Sequence, residues 1–206
     1  NLDLNIEKYA TVNFKILADI VDSLGGIEME IDSDILDNLN NYIGDMNRIN
    51  GGNSAKIPSG GTYTLDGNQA VAYSRIRYTA GGDLARAGRQ REVLEKIFQK
   101  AKKSPIKLMS AMDDILPQIK TNMSRQELFG MLLSVFRYDI ADQQGFPWDQ
   151  KQMKYNGIYY GFPSTLEENA VRAHKYLFGT SNYQVSDELG RINQKIEAGA
   201  GAQGFV

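Results

Sequence analysis

The chain contains no cysteine and a single histidine, His174, among its 206 residues. Disulfides, thiolate metal centres and a cysteine nucleophile are thereby excluded. A histidine-rich metal site and a serine–histidine triad are excluded too, unless His174 itself serves; its place in an apolar-spaced segment reads as a packed helix position. There is no basic excess: 23 Lys and Arg stand against 25 Asp and Glu, a net charge of -2. A general attraction to nucleic acid is therefore disfavoured, and any anion site must come from a local cluster. No apolar run approaches the roughly 18–20 residues of a membrane span, and no secretory signal is visible. The chain begins with Asn1 rather than Met, which reads as a processed or trimmed product.

What is present suits one large domain. The hydrophobic share is 42% and the charged share 23%, ordinary values for a globular protein with a true core. Tyr9 to Phe14 is β-rich and reads as a strand. Phe14, Leu17, Ile20, Val21 and Leu24 mark one face of a helix, which Gly25-Gly26 stops as a left-handed cap would. Ile27, Met29 and Ile31 alternate with Glu28 and Glu30, the pattern of a half-buried strand. Strand, helix and strand within about 25 residues indicate an α/β layer architecture. Asp32 to Gly61, rich in Asn and Gly, reads as a long polar loop with a short helix near Ile35, Leu36 and Leu39. Three capping boxes open helices, at Asp66/Gln69, Ser124/Glu127 and Ser164/Glu167. A long helix is expected from about Leu84 to Lys102. Met153, Tyr155, Ile158 and Tyr160 suggest a hairpin around Asn156-Gly157. The small-residue end, Ala198 to Val206, reads as a mobile tail.

The stretch from Tyr73 to Leu94 concentrates five arginines around Gly81-Gly82-Asp83. In the helix that follows, Val93, Leu94, Ile97 and Ala101 form an apolar stripe. Extended toward the N-terminus in steps of three and four, the stripe passes through Gln90 and Arg86. A guanidinium placed where the pattern expects an apolar group needs a carboxylate, a carbonyl cluster or a ligand. A helix N-terminus favours anions as well. If Arg75-Ile76-Arg77 is extended, Arg75 and Arg77 point the same way and form a pair of planar forks suited to phosphate. The diglycine lets the chain double back so that Arg75, Arg77 and Arg86 converge. Asp83 reads either as the helix cap or as a carboxylate of the site. Against this stands the ordinary fate of helix arginines, which is solvation; Arg89 and Arg91 fit it best.

The block GTYTLDGNQAVAYSRIRYTAGGDLARAGRQREVL resembles the signature of the LytR–CpsA–Psr family of bacterial cell-wall enzymes. The likeness runs through the Leu-Asp-Gly-x-Gln-Ala helix, Arg-x-Arg, Gly-Asp-x-x-Arg and a Gln four residues on. It extends upstream to VNFKILADIVDSLGGIEMEI and downstream to KYLFG, covering most of residues 8 to 179. The resemblance implies a three-layer α/β/α fold with a central mixed β-sheet flanked by helices. It implies an N-terminally incomplete domain over residues 1–180, followed by a mobile extension over 181–206. It also implies a phosphotransferase that moves a glycopolymer, such as teichoic acid or capsule, from a polyprenyl-pyrophosphate carrier onto a peptidoglycan acceptor. Arg75, Arg77, Arg86 and Gln90 would hold the pyrophosphate, with Arg89 a weaker candidate. Asp83, Arg75 and Arg86 would carry the chemistry, with Asp83 a candidate base. Mg2+ is implied, its ligands expected in an absent upstream part. The place of action would be the extracytoplasmic face of a bacterial, Gram-positive membrane, reached through an upstream anchor and the lipid substrate. The lipid chain would lie in an apolar tunnel, with Phe98, Leu108, Met112 and Leu116 as candidate walls or ordinary core. Two other readings compete: a non-catalytic binder of polyprenyl phosphate or anionic glycan, and a DNA-binding regulator, which the negative net charge disfavours.

Overall fold

Strand β2 (Ile27–Ile31) buries its three apolar side chains and turns Glu28 and Glu30 outward, as the alternation demands. It pairs antiparallel with β3 (Gly61–Leu65), Ile27 opposite Leu65 and Ile31 opposite Gly61. The computed structural model describes residues 2–148, 150–155, 157–163 and 165–201. Among them the α/β class holds, with eight α-helices and three antiparallel strand pairs. The other two pairs are β1 (Ala10–Thr11) with β4 (Lys120–Thr121), and β5 (Gln150–Tyr155) with β6 (Ile158–Pro163). The chain divides into two units, Lys8–Gln143 and Asn1–Glu7 with Gln144–Val206.

In the larger unit, Asn13 caps helix α1 (Phe14–Ser23) by accepting a hydrogen bond of 2.8 Å from the Ile16 amide. That cap draws Phe14 into the helix and shortens the strand expected over Tyr9 to Phe14 to two residues. Gly25 and Gly26, at φ of 81° and 84°, end α1 where the sequence placed its stop. The supposed loop after β2 is corrected more deeply. A 3-10 turn at Ser33–Ile35 leads into α2 (Leu36–Asn50), a helix of 15 residues. Leu39, Ile43 and Met46 are its buried face.

Helix α3 (Gly67–Arg75) begins on a complete capping box. The Asp66 carboxylate accepts from the Gln69 amide and Gln69 Oε1 accepts from the Asp66 amide, both at 2.9 Å. Every residue from Gly67 to Ser74 is buried. Val71, Ile76, Val21, Met29, Leu39, Met46 and Val93 meet in one core cluster. Each such side chain contributes roughly 1.5–3 kcal/mol by burial. Helix α4 (Gly82–Lys103) runs 22 residues, starting two residues earlier and ending one later than expected. Helix α5 (Pro105–Ile115) follows one residue later, and α6 (Arg125–Ser134) starts on the Ser124/Glu127 capping box. Met112, Leu116 and Leu128 make a second, smaller cluster.

The smaller unit holds the β5–β6 hairpin and helices α7 (Leu166–Phe178) and α8 (Asp187–Gly201). The hairpin expected here is present, with Tyr155 opposite Ile158; its Asn156 lies outside the described residues, as does Ser164. Thr165 caps α7, its hydroxyl accepting from the Glu168 amide at 3.0 Å. His174 is 8% exposed, stacks on Tyr183 with ring centroids 3.5 Å apart, and brings Nε2 within 3.1 Å of the Leu2 carbonyl. It is a packed helix residue, as its spacing implied. The segment after residue 180 carries a packed helix. Its helix α8 buries Leu189, and Asn193 Oδ1 accepts from the Leu166 amide at 2.8 Å. Residues 202–206 lie outside the described residues.

Candidate functional site

The arginine block folds as a helix end, a short linker and a helix start. Helix α3 continues to Arg75, so Arg75-Ile76-Arg77 is not extended throughout; Ile76 alone breaks the helix, at φ -57° and ψ 121°, and is buried. The two guanidinium groups therefore part. Arg75 packs inward, its Cζ 4.7 Å from the Phe14 ring centroid and 5.7 Å from that of Tyr42. Its Nη1 also donates to Met46 Sδ at 3.4 Å. Arg77 turns instead to the start of α4.

There Gly81 and Gly82 adopt φ of 86° and 49°, backbone that glycine enters without strain. Gly81, with no side chain to cap, is the N-cap of α4. Asp83 is thus not the cap. It is the centre of a small ion cluster: Arg77 Nε lies 2.9 Å and Arg86 Nη2 3.0 Å from its Oδ1, and Arg77 Nη2 donates to its Oδ2 at 3.0 Å. The three side chains are 50%, 36% and 49% exposed for Arg77, Arg86 and Asp83. An exposed ion pair contributes only about 0–1 kcal/mol, so this cluster is held loosely.

Arg89 has a different task. Its Nη1 donates to the Ile76 carbonyl at 3.2 Å and its Nη2 to Thr79 Oγ1 at 3.0 Å, pinning the linker that carries Arg77. Gln90 is exposed on α4. The structure thus brings Arg77, Asp83 and Arg86 together, sets Arg89 behind them as a brace, and gives Arg75 separate partners. One partnership escaped the sequence: the Tyr73 hydroxyl donates to Glu92 Oε2 at 2.6 Å. Burial, then this bond, pushes the Tyr73 phenol well above its usual range. The clue was a tyrosine in the buried run AVAY, whose hydroxyl needs a partner.

Further along α4 the same face becomes a wall of a cavity of about 270 Å³. All fourteen lining residues are apolar, from α1, α4, α5, α6 and the segments that follow α5 and α6. Phe98, Leu108, Met112 and Leu116, named from sequence, are among them, joined by Ile20, Leu24, Leu94, Ile97 and Ala101. Leu94 lines the cavity while 57% exposed, so it stands at the rim. Arg86, Gln90, Leu94, Ile97 and Ala101 follow one another at spacings of four, four, three and four. At 1.5 Å per residue, Arg86 and Ala101 are about 22 Å apart along that face.

The expected magnesium finds no matching donor set here. Among the described residues no three Asp, Glu or His side chains gather into a metal-holding group, and the Asp83 carboxylate is already shared by Arg77 and Arg86.

Fold and site together define an α/β protein that sets a guanidinium–carboxylate cluster beside an apolar cavity on one helix. The chain belongs to the LytR_cpsA_psr family, whose sequence pattern matches residues 1–175. It is 29% identical over 167 residues to the polyisoprenyl-teichoic acid–peptidoglycan teichoic acid transferase TagT of Bacillus subtilis (strain 168), across 77% of this chain and 47% of that protein. A structure of TagT bound to LI-WTA superposes with a TM-score of 0.62 at 26% identity, covering 87% of this chain and 63% of the other. Protein gbs0355 from Streptococcus agalactiae shares the fold with a TM-score of 0.68 at 21% identity, over 90% of this chain and 61% of the other. The chain spans about half the length of the curated relatives it matches.

Proposed function

We propose that this chain supplies the lipid-pyrophosphate-binding part of a phosphotransferase that moves a glycopolymer from a polyprenyl-pyrophosphate carrier onto peptidoglycan. The observation that carries the reading is the single face of α4, which passes from Arg86 to an entirely apolar cavity. A ligand with a diphosphate head and a long hydrocarbon tail matches both halves. The tail would occupy the cavity between α1, α4, α5 and α6, with the head at Arg77 and Arg86. Relatives named as teichoic acid transferases support the same reading. Gln90 belongs to the proposed headgroup site from the open face between Arg86 and Leu94, and Arg75 would join it from the end of α3 only by leaving its contacts with Phe14 and Tyr42. Arg89 serves by holding the linker.

In the reaction, an acceptor sugar hydroxyl attacks the phosphorus nearest the glycopolymer. The bond from that phosphorus to the bridging oxygen breaks, and polyprenyl phosphate leaves. Negative charge builds on the bridging and non-bridging oxygens, and fixed guanidinium groups lower its energy there. The hydroxyl proton passes to a general base. Asp83, with both oxygens held by guanidinium groups, aligns Arg77 and Arg86 instead of filling that role. Because its ion pairs are half-exposed, a diphosphate can take them over at small cost. The place of action would be the extracytoplasmic face of a Gram-positive cell membrane.

A second reading, a non-catalytic carrier of polyprenyl phosphate, is favoured for the chain alone by the commitment of Asp83 to two arginines. Calorimetric titration with a short prenyl pyrophosphate tests the shared part. Arg86→Ala should weaken binding about ten-fold or more, as loss of a charge-assisted contact does. Leu94→Asp, at the exposed rim of the cavity, should weaken it further, while both variants keep the parent's unfolding transition. Equal affinity of parent and Arg86→Ala would remove the headgroup site. Transfer of labelled polymer to peptidoglycan fragments by the longer protein then separates enzyme from carrier.

A further inference from the structure

The turn between α4 and α5 is the most cationic part of a chain whose net charge is negative. From Lys96 to Met112 there are five lysines and no acidic residue, against a total of -2. Lys100, Lys102 and Lys103 close α4, and Lys107 lies in the first turn of α5. Cations in a last helical turn are ordinary partners of the helix dipole, and that accounts for three of them. It does not account for Ile106, which is 84% exposed, the highest value among the exposed large apolar side chains of the described residues, nor for Met109 beside it at 41%. An isoleucine held in water within a lysine-rich turn has the composition of an interfacial anchor. Lys102 is paired with Asp139 and Lys107 donates to the Leu24 carbonyl at 3.4 Å. Lys100 and Lys103 have no ion pair among the described residues.

The position of the turn gives this composition a direction. Ala101 immediately before it and Leu108 immediately after it both line the apolar cavity, so the turn closes the end of the cavity opposite Arg86. We propose that the α4–α5 turn docks on the surface of an anionic lipid bilayer, with Ile106 and Met109 entering the interface and Lys100 and Lys103 facing the lipid headgroups. This inference rests on the reading of the cavity as a prenyl-chain site, and adds to it where the chain's tail end meets the membrane. The occupant is an anionic bilayer and not a neutral apolar partner, because the exposed apolar pair lies in a lysine-rich turn in which Lys100 and Lys103 have no ion pair among the described residues. The helices themselves do not cross: among the described residues none is long and apolar enough.

Vesicle flotation tests it with the 206-residue chain and vesicles free of any prenyl pyrophosphate. One set is an equal mixture of phosphatidylglycerol and phosphatidylcholine, the other phosphatidylcholine alone. Binding is expected to the anionic set only, and to weaken with salt. A Lys100→Gln, Lys103→Gln double variant should bind about twenty-five-fold more weakly, from about five-fold per lysine at a membrane surface. Ile106→Ser should reduce binding roughly five-fold without changing the salt dependence. Equal binding to both sets overturns the proposal, as do variants indistinguishable from the parent. So does a concentration-dependent dimer that Ile106→Ser dissolves, since the patch would then be an interface between copies. Inorganic pyrophosphate binding by the same variants, expected unchanged, keeps failure here distinct from failure of the headgroup site.

Discussion

Helices α3 and α6 open on the same local device and end in opposite surroundings. Both carry a complete capping box, Asp66 with Gln69 and Ser124 with Glu127. Yet α3 is buried from Gly67 to Ser74, while in α6 only Leu128 is buried and Phe129, Met131 and Leu133 are exposed. A capping box satisfies amide donors at a helix start and says nothing about what the helix then packs against. The site follows from that difference: α3 is fixed in the core and delivers Arg75 and the linker to Arg77, whereas α6 only closes one side of a cavity.

The comparison is broken most severely at its two glycines. A Cβ on Gly67 would lie 2.3 Å from the Ala18 carbonyl oxygen, backbone that cannot step aside without parting α1 from α3. Gly67→Ala should destabilise by more than about 3 kcal/mol, beyond the usual range for overpacking. In α6, a Cβ on Gly130 meets nothing within 4 Å, and Gly130→Ala should stabilise by about 0.5–1 kcal/mol through helix propensity. Urea unfolding of both variants decides it; equal and small effects would mean that α3 is not seated as tightly as its burial implies.

Smaller and closer in size are the caps. Asp66→Ala and Ser124→Ala should each cost about 0.5–2 kcal/mol, with Asp66→Ala at the upper end. Its partner Gln69 is buried and also donates to the Ala55 carbonyl at 2.8 Å, so losing the box disturbs a neighbour that water cannot replace. Around Ser124 water can enter. A smaller loss for Asp66→Ala than for Ser124→Ala in the same unfolding experiment would contradict this ordering.

The two helices also mark how far the sequence could be read. Both boxes were legible because side-chain capping is a local event with fixed spacing. So were β2, the stop at Gly25-Gly26 and the course of α4. Helix α2 was not, although Leu36, Leu39, Ile43 and Met46 recur at three, four and three. Its remaining positions are largely Asn and Asp, which compete for backbone hydrogen bonds and favour turns in isolation; tertiary burial of the apolar stripe overrides that preference. At the site, the stripe through Gln90 and Arg86 was legible, and so was the need of Arg86 for a partner. The parting of Arg75 from Arg77 was not. It depends on α3 running its full length to Arg75, a boundary that packing on Phe14 and Tyr42 sets and no local signal reports.

Acid separates the two helix starts by sign. At α6, hydrogen bonds from Lys8 and Ser124 hold the Glu127 carboxyl well below its usual range, at about 2. A depressed carboxyl contributes stability that is present above its unfolded value of 4.5 and lost as pH falls toward 2. At α3, burial holds the Asp22 carboxyl above its usual range despite a 2.7 Å bond from the Gly67 amide, and the nearby charges of Asp66 and Asp19 add to the effect. A raised carboxyl works the other way: its contribution is greatest below the unfolded value of 3.8 and is lost as pH rises through the folded one. Glu127→Gln should therefore lower the melting temperature at pH 7, with the gap closing below pH 4.5. Asp22→Asn, whose amide oxygen can still accept from Gly67, should raise it at pH 7 and have no effect at pH 3. These are the smallest shifts of the set, because both groups keep contact with water, and their opposite signs are what a thermal melt at the two pH values reads. If both variants moved the melting temperature in the same direction, the starts of α3 and α6 would not differ electrostatically, and the contrast between a buried and an exposed capping site would rest on packing alone.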